Sequence, residues 1–276
     1  MTRRIIDQFA AVLAARGIVP GHIEADAALH RCKVEGGKSG RLDGAYVLHL
    51  DGLPAGGFIN WRDGLGWQTW AAKPEREWSR AEHDAWRARA DAMRQLRLQD
   101  EIQRHTEAAK RAKHLLMRCK LATNNHPYLR RKGVNAYGLR QLRAQLVIPV
   151  RDASGALCSL QFISPEGDKR FLSGGRKRGC YFAIGQPRTV LCLAEGYATA
   201  ASVFEATGYA TACCFDAGNL EPVARVLRTK FPRLAIIVCA DNDSETPGNP
   251  GVSMAMSAAR AVRGMVAVPD FTGVTA

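Results

Sequence analysis

The stretch from 190 to 268 constrains this sequence most, because short apolar runs there alternate with helical ones. The runs VLCLA (190–194) and LAIIVCA (234–240) are nearly continuous apolar segments. Strands covered by helices on both faces of a parallel sheet read this way. The spacing predicts strands over 190–194, 209–214, 234–240 and 265–268, and helices over 197–207, 220–230 and 252–263. Gly196, Gly208 and Gly264 punctuate them, and such short connections imply right-handed βαβ units in a parallel sheet. Working side chains in these sheets collect past the carboxyl ends of strands. Glu195 follows one run and Asp241 and Asp243 follow another, so three carboxylates are expected at one sheet edge. Carboxylates so close repel each other, and a hard divalent cation such as Mg²⁺, held through oxygen, relieves that repulsion.

Charge narrows the partner. Lys and Arg outnumber Asp and Glu by 39 to 26, a net charge of +13. The excess is clustered, which points to nucleic acid and not to a membrane surface. No run of eighteen apolar residues is present, and MTRRIIDQFA lacks the apolar core of a signal peptide. A cytoplasmic chain with no membrane partner is expected. Eight cysteines include no C-x-x-C pair, so no zinc is expected; His30 and Cys32 supply at most half a site. Cys192 and Cys239, inside apolar strands, read as small buried thiols.

The rest of the chain sorts into segments. Residues 2–16 carry Ile5, Ile6, Phe9, Val12 and Leu13 at helical spacing, with Thr2 as a cap and Gly17 as the stop. Residues 28–71 alternate as strands do, with hairpin turns at Asp51-Gly52 and Asp63-Gly64. Trp61, Trp67 and Trp70 either close a small β core or stack bases. Pro74 marks a boundary, and 75–120 reads as one long helix or a helical pair. It is a solvated connector with mixed charge and no glycine, with a DNA-tracking face over Arg87 to Arg118 as the alternative. Beyond Pro127 lie Arg130, Arg131 and Lys132, then strands over 146–150 and 156–164. Lys169, Arg170, Arg176, Lys177 and Arg178 sit on or beside glycine-rich turns, where backbone N–H groups and cations approach phosphates together. A merely solvated hairpin tip is the alternative. Asp216 and Asn219, on the loop after 209–214, are placed either to support the metal ligands from behind or to add a nucleotide contact. The expected domains are 1–73, 74–123, 124–187 and 188–276.

An E-G step after one strand and D-x-D after another, in LAEGYATAAS and VCADND, resembles the Toprim domain of bacterial primases, type IA and type II topoisomerases and some nucleases. The wider set HPYLRRKGV, LVIPVRDASGALCSLQFISPEGDKRFLSGG, FDAGNL and ADND resembles the primases of conjugative plasmids and phages, of the TraC type. The resemblance implies a Toprim-type α/β sheet at the C-terminus, preceded by a mixed basic β-hairpin subdomain, a helical connector and a small N-terminal α+β region. It further implies that Glu195, Asp241 and Asp243 hold Mg²⁺, with Mn²⁺ as a substitute, and that Glu195 serves as general base or shared ligand. The implied activity is nucleotidyl transfer: short RNA primers made from ribonucleoside triphosphates on a single-stranded DNA template. A replicative helicase or conjugation and replication proteins are the implied partners. The sequence departs from the family in lacking a Cys/His zinc module, and in ending at Ala276 with only PDF where a D-F-N-D-L segment is usual. A Toprim nuclease and a non-catalytic single-strand-binding module remain as alternatives. A topoisomerase fits less well, because no separate domain offers a placed tyrosine.

Overall fold

The computed structural model describes residues 2–37, 40–51, 53–72, 80–242, 246 and 249–269. The chain forms two compact units, Met1–Arg97 and Leu98–Ala276. The first begins with helix α1 (Thr2–Ala14), in which Thr2 is already helical. Strands β1 (Ile18–Val19), β2 (His30–Val34), β3 (Gly44–His49), β4 (Ala55–Asn60) and β5 (Gln68–Ala71) follow in an antiparallel meander. Phe9 and Leu13, four residues apart on one stripe of α1, are fully buried against Tyr46, Leu48 and Phe58. The three tryptophans part company here. Trp70 packs on Phe9 with ring centroids 5.1 Å apart, while Trp61 and Trp67 each remain 47% exposed.

Helix α2 (Arg80–Met117) crosses from the first unit into the second. The expected start of this helix, 75–79, lies outside the described residues. Exposed pairs such as Arg94–Asp91 and Arg104–Asp100 line it at i,i+3 and i,i+4, each contributing a few tenths of a kcal/mol at most, about 0.5. Its last turns are not the solvated connector expected. Ala108 and Ala112 are fully buried, and Leu115 and Leu116 pack on Val147, Leu160 and Phe162.

The second unit holds two sheets. Strands β6 (Lys120–Leu121), β7 (Arg140–Leu142), β8 (Gln145–Arg151), β9 (Leu157–Ile163) and β10 (Lys169–Phe171) form an antiparallel sheet in the order β10-β9-β8-β7-β6. Helix α3 (Pro127–Lys132) precedes β7 and is capped by His126. The His126 Nε2 lies 2.9 Å from the Ala144 carbonyl and its Nδ1 accepts from Tyr128 N–H, so the neutral Nε2–H tautomer satisfies both.

The remaining elements are β11 (Phe182–Ile184), β12 (Val190–Ala194), α4 (Tyr197–Thr207), β13 (Ala210–Cys213), a 3₁₀ turn (Ala217–Asn219), α5 (Leu220–Lys230), β14 (Ala235–Cys239), α6 (Pro250–Ala261) and β15 (Met265–Ala267). The sheet order is β11-β13-β12-β14-β15. Its four later strands are parallel, as the apolar runs predict, but β11 pairs antiparallel with β13. That edge strand is only three residues long, within the short apolar run CYFAI (180–184). Leu191 and Leu193 pack toward α5 and α6, while Ala194 packs toward α4 and the β6–β10 sheet.

Tyr197 joins the two sheets of this unit. It is buried, its hydroxyl donates to Asn135 O at 2.7 Å and accepts from Tyr137 N–H at 2.8 Å. Burial pushes this phenol above its usual pKa, so it stays a donor. Tyr197→Phe leaves that carbonyl and N–H without their partner and should lower unfolding stability by about 1–3 kcal/mol in urea titration. An unchanged midpoint would contradict this.

Candidate active site

Register places the carboxylates. Ala194 of β12 is aligned with Cys213 of β13 and with Cys239 of β14. Each strand then ends within three residues of an acid: Glu195 after β12, Asp216 after β13 and Asp241 after β14. Thr199, in the first turn of α4, donates its hydroxyl to Asp241 Oδ1 at 3.3 Å, so the end of β14 is tied to the helix that starts just after Glu195. The amino end of α4 also favours negative charge there through its dipole. Asp243, the remaining expected acid, lies outside the described residues.

Cations reach this edge from the neighbouring sheet. In β10, side chains alternate, so Lys169 and Phe171 leave on the side of the carboxylate edge and Arg170 leaves on the other. A Cβ built on Gly196 would lie 3.5 Å from Lys169 Nζ, which puts the ammonium over the Glu195–Gly196 step. Lys177 Nζ lies 2.5 Å from Asp216 Oδ2; that oxygen has no aligned hydrogen-bond donor, so the contact is ionic. The same ammonium sits 5.2 Å from the Phe171 ring centroid, and Phe171 meets Phe215 edge-on at 5.7 Å. Beneath them the Cys213 thiol is pushed up to about 12, by burial first, with Lys169 opposing and Glu195 and Asp216 adding to the rise. Charges from β10 and from two strand ends therefore act on one point.

The other basic residues have distinct places. Arg170 donates to Gln145 Oε1 at 2.8 Å, stacks 5.3 Å from the Phe162 centroid, and lines a groove of about 760 Å³ with Arg118 and Arg143. Lys169 and Arg170 thus belong to a strand and not to a turn, and they face opposite ways. Arg176 pairs with Asp152 at 2.6 Å, so its anion comes from this chain. Burial opposes ionisation of Asp152, but bonds from Ser154 and Arg176 hold its carboxyl below the usual range. Arg131 spans to the carbonyls of Pro165 and Glu166, tying α3 to the turn before β10. Arg130, Lys132 and Arg178 are exposed.

Asn219, expected near a nucleotide, is buried and spends its amide inside the protein. Its Oδ1 accepts from Gly179 N–H at 2.8 Å, and its Nδ2 faces the carbonyls of Lys177, Cys180 and Cys214. It holds the 177–180 loop against the end of β13. Thr199 went unnoticed in the sequence; a hydroxyl in the first turn after Glu195 was its only signal. Among the described residues, the one acid and imidazole trio with ligand atoms all within 4.8 Å is Glu24, Asp26 and His30, in the first unit. His30 thus partners Asp26, at 2.7 Å, and not Cys32. Glu195, Asp216 and Asp241 are neighbours along the edge without that close grouping.

Residues 190–269 match the Toprim domain. The chain is 37% identical to the DNA primase TraC of Escherichia coli in an alignment 281 residues long that covers 96% of this chain. A second Escherichia coli TraC is 37% identical over 287 residues. The chain spans only 26% and 19% of the length of these two relatives. The primase fragment of the bacteriophage T7 primase-helicase is 13% identical, covering 55% of this chain and 65% of that one, with a TM-score of 0.41. The DnaG catalytic core is also 13% identical, covering 58% and 67%, with a TM-score of 0.37. No helix among the described residues is long and apolar enough to cross a membrane.

Replacing Asn219 by Ala would take the side-chain partner from the Cys180 and Cys214 carbonyls and from Gly179 N–H, while Lys177 O keeps its bond from Cys180 N–H. Asn219→Ala should cost about 2–3 kcal/mol of stability. It should also speed hydrogen exchange at Gly179 N–H relative to wild type, and unchanged protection there would contradict the anchoring role.

Proposed function

We propose that this chain, which carries a Toprim domain, is the catalytic core of a DNA primase that makes short RNA primers on single-stranded DNA. The observation that carries the reading is the juxtaposition of Glu195 and Asp241, on adjacent parallel strand ends, with Lys169 over the Glu195–Gly196 step. The 37% identity to TraC along 96% of the chain supports the same reaction.

The donor set suits Mg²⁺, with Mn²⁺ as a substitute: the side chains past the strand ends offer carboxylate oxygens, and the Cys213 thiol beneath them is buried with its pKa pushed up, which keeps it protonated. Glu195 and Asp241 are the described residues that would hold it, and Asp243 of the same D-x-D segment would join them. A divalent ion held there would supply a lowered pKa for a primer 3′-hydroxyl and positive charge to offset that on the attacked α-phosphate. The protein's own groups do the rest. Lys169 sets a positive charge beside the edge, where an incoming triphosphate needs one. Asp216 orients Lys177 toward the same side, and Asn219 fixes the loop that carries it. Thr199 directs Asp241 by binding one of its oxygens, leaving the other for the cation. Glu195 is the candidate general base or shared ligand.

Arg130, Lys132 and Arg178, exposed around this unit, and Arg170 in its groove offer phosphate contacts along a template strand. Arg131 and Arg176, each engaged within the chain, contribute by holding the basic segments in place. Helicase or conjugation partners, and a cytoplasmic setting, accord with this role.

The test is to incubate the chain with single-stranded DNA, labelled ribonucleotides and Mg²⁺. New oligonucleotides are expected, and Asp241→Asn or Glu195→Gln should reduce them roughly 100-fold or more while DNA affinity holds. Shortened template in place of product would mark a nuclease. DNA binding with neither outcome would mark a recruitment module, and either result would overturn the primase reading.

A further inference from the structure

The first unit presents a sheet face that the reaction at the carboxylate edge does not use. Cross-strand pairing sets Arg31, Ala45 and Ile59 side by side, then Val47, Gly57 and Thr69, all on one face. Tyr46, Leu48, Phe58 and Trp70 occupy the other face, which α1 covers with Phe9 and Leu13. Trp61 directly follows β4 and continues its ladder, donating its backbone N–H to Asp43 O at 2.9 Å. Trp67 directly precedes β5. Both tryptophans therefore stand on the face away from α1.

Two features show that these indoles are seated and not merely stranded. A Cβ on Gly57 would fall 2.4 Å from Trp67 Cζ2, so the ring lies flush on the backbone and only glycine permits it. The Arg31 guanidinium lies 4.1 Å from the Trp61 ring centroid, and its Nη1 is anchored to Leu42 O at 3.3 Å. Each indole is nonetheless 47% exposed, in a unit whose core aromatics Phe9, Tyr46 and Phe58 are 3% exposed or less. Fixed aromatic rings on an open sheet are a pre-organised stacking surface.

Charge selects the occupant. The strand positions on this face include the exposed cations Arg31 and Lys33, and carboxylates stand just past the strand ends, at Asp43 opposite Trp61 and at Glu35 beyond Lys33. Two copies of the face would set like charges against each other, which disfavours self-association. A chain with flat π faces and a phosphate on every unit meets both the rings and the cations. We propose that this face binds single-stranded nucleic acid, with bases stacked on Trp61 and Trp67 and backbone phosphates near Arg31 and Lys33. This site lies in a different unit from the carboxylates and stands whatever reaction they carry out.

The test uses the full chain without nucleotides or metal, and reads fluorescence anisotropy of an end-labelled mixed-sequence single strand. A strand of equal length made of abasic sugar-phosphate is the second probe. Trp61→Ala and Trp67→Ala should each weaken binding to the normal strand by roughly 5- to 100-fold. Both should bind the abasic strand as wild type does. Trp67→Phe, which keeps a ring, should recover most of the loss, and Gly57→Ala should reproduce the Trp67→Ala defect by unseating the indole. The proposal is overturned if the Ala variants bind the normal strand as tightly as wild type. It is equally overturned if they lose affinity for both strands alike, or if their effect is to abolish a dimer seen by sedimentation. Because no product is read, failure here leaves the primase reading untouched.

Discussion

Burial of β12 on both faces is the constraint on which everything at the site depends. Leu191 and Leu193 are locked against α5 and α6, and Ala194 against α4 and the neighbouring sheet. Each buried leucine contributes about 2–3 kcal/mol relative to exposure, so sliding the strand by one residue would be prohibitive. Fixed register then carries over to β13 and β14, and acids just past three strand ends must emerge on one edge. The apolar strands thereby do positional work for residues they never touch.

An edge lined with acids would destabilise itself without compensating charge. That charge comes from another sheet: Lys169 from β10 and Lys177 from the loop that follows it. Neither lysine is close to the acids in sequence. Tyr197, bridging to Asn135 and Tyr137, and Asn219, pinning the 177–180 loop, keep the two sheets aligned so that the cations arrive where the carboxylates are. The Tyr197 hydroxyl and the Asn219 amide are spent inside the protein, and their task is alignment. Lys169 stays exposed, while Lys177 is half-buried against Asp216.

Much of this was readable in the sequence. The run of strands and helices beyond 190 is strongly periodic, and Glu195 and Asp241 follow from it directly. What was not readable depends on long-range pairing. β11 is too short to carry a pattern, and PEGDKR reads as turn punctuation although Lys169 and Arg170 pair in register with Ile163 and Phe162. Once they form a strand, neighbours in sequence face opposite ways. Arg176 finds its anion in Asp152, across 24 positions, a partnership that no local motif announces. Trp70 was grouped with Trp61 and Trp67 by residue type, yet strand parity sends it to the core. Helix α2 carries no sustained apolar stripe, because Ala108 and Ala112 with Leu115 and Leu116 in its last turns are what dock it.

The central claim is that a divalent cation belongs between Glu195 and Asp241. Crystals soaked in Mn²⁺ and measured for anomalous scattering test it most directly. A peak is expected within bonding distance of both carboxylates, beside Lys169. A peak confined to the Glu24, Asp26 and His30 trio, with nothing at the strand ends, would contradict it.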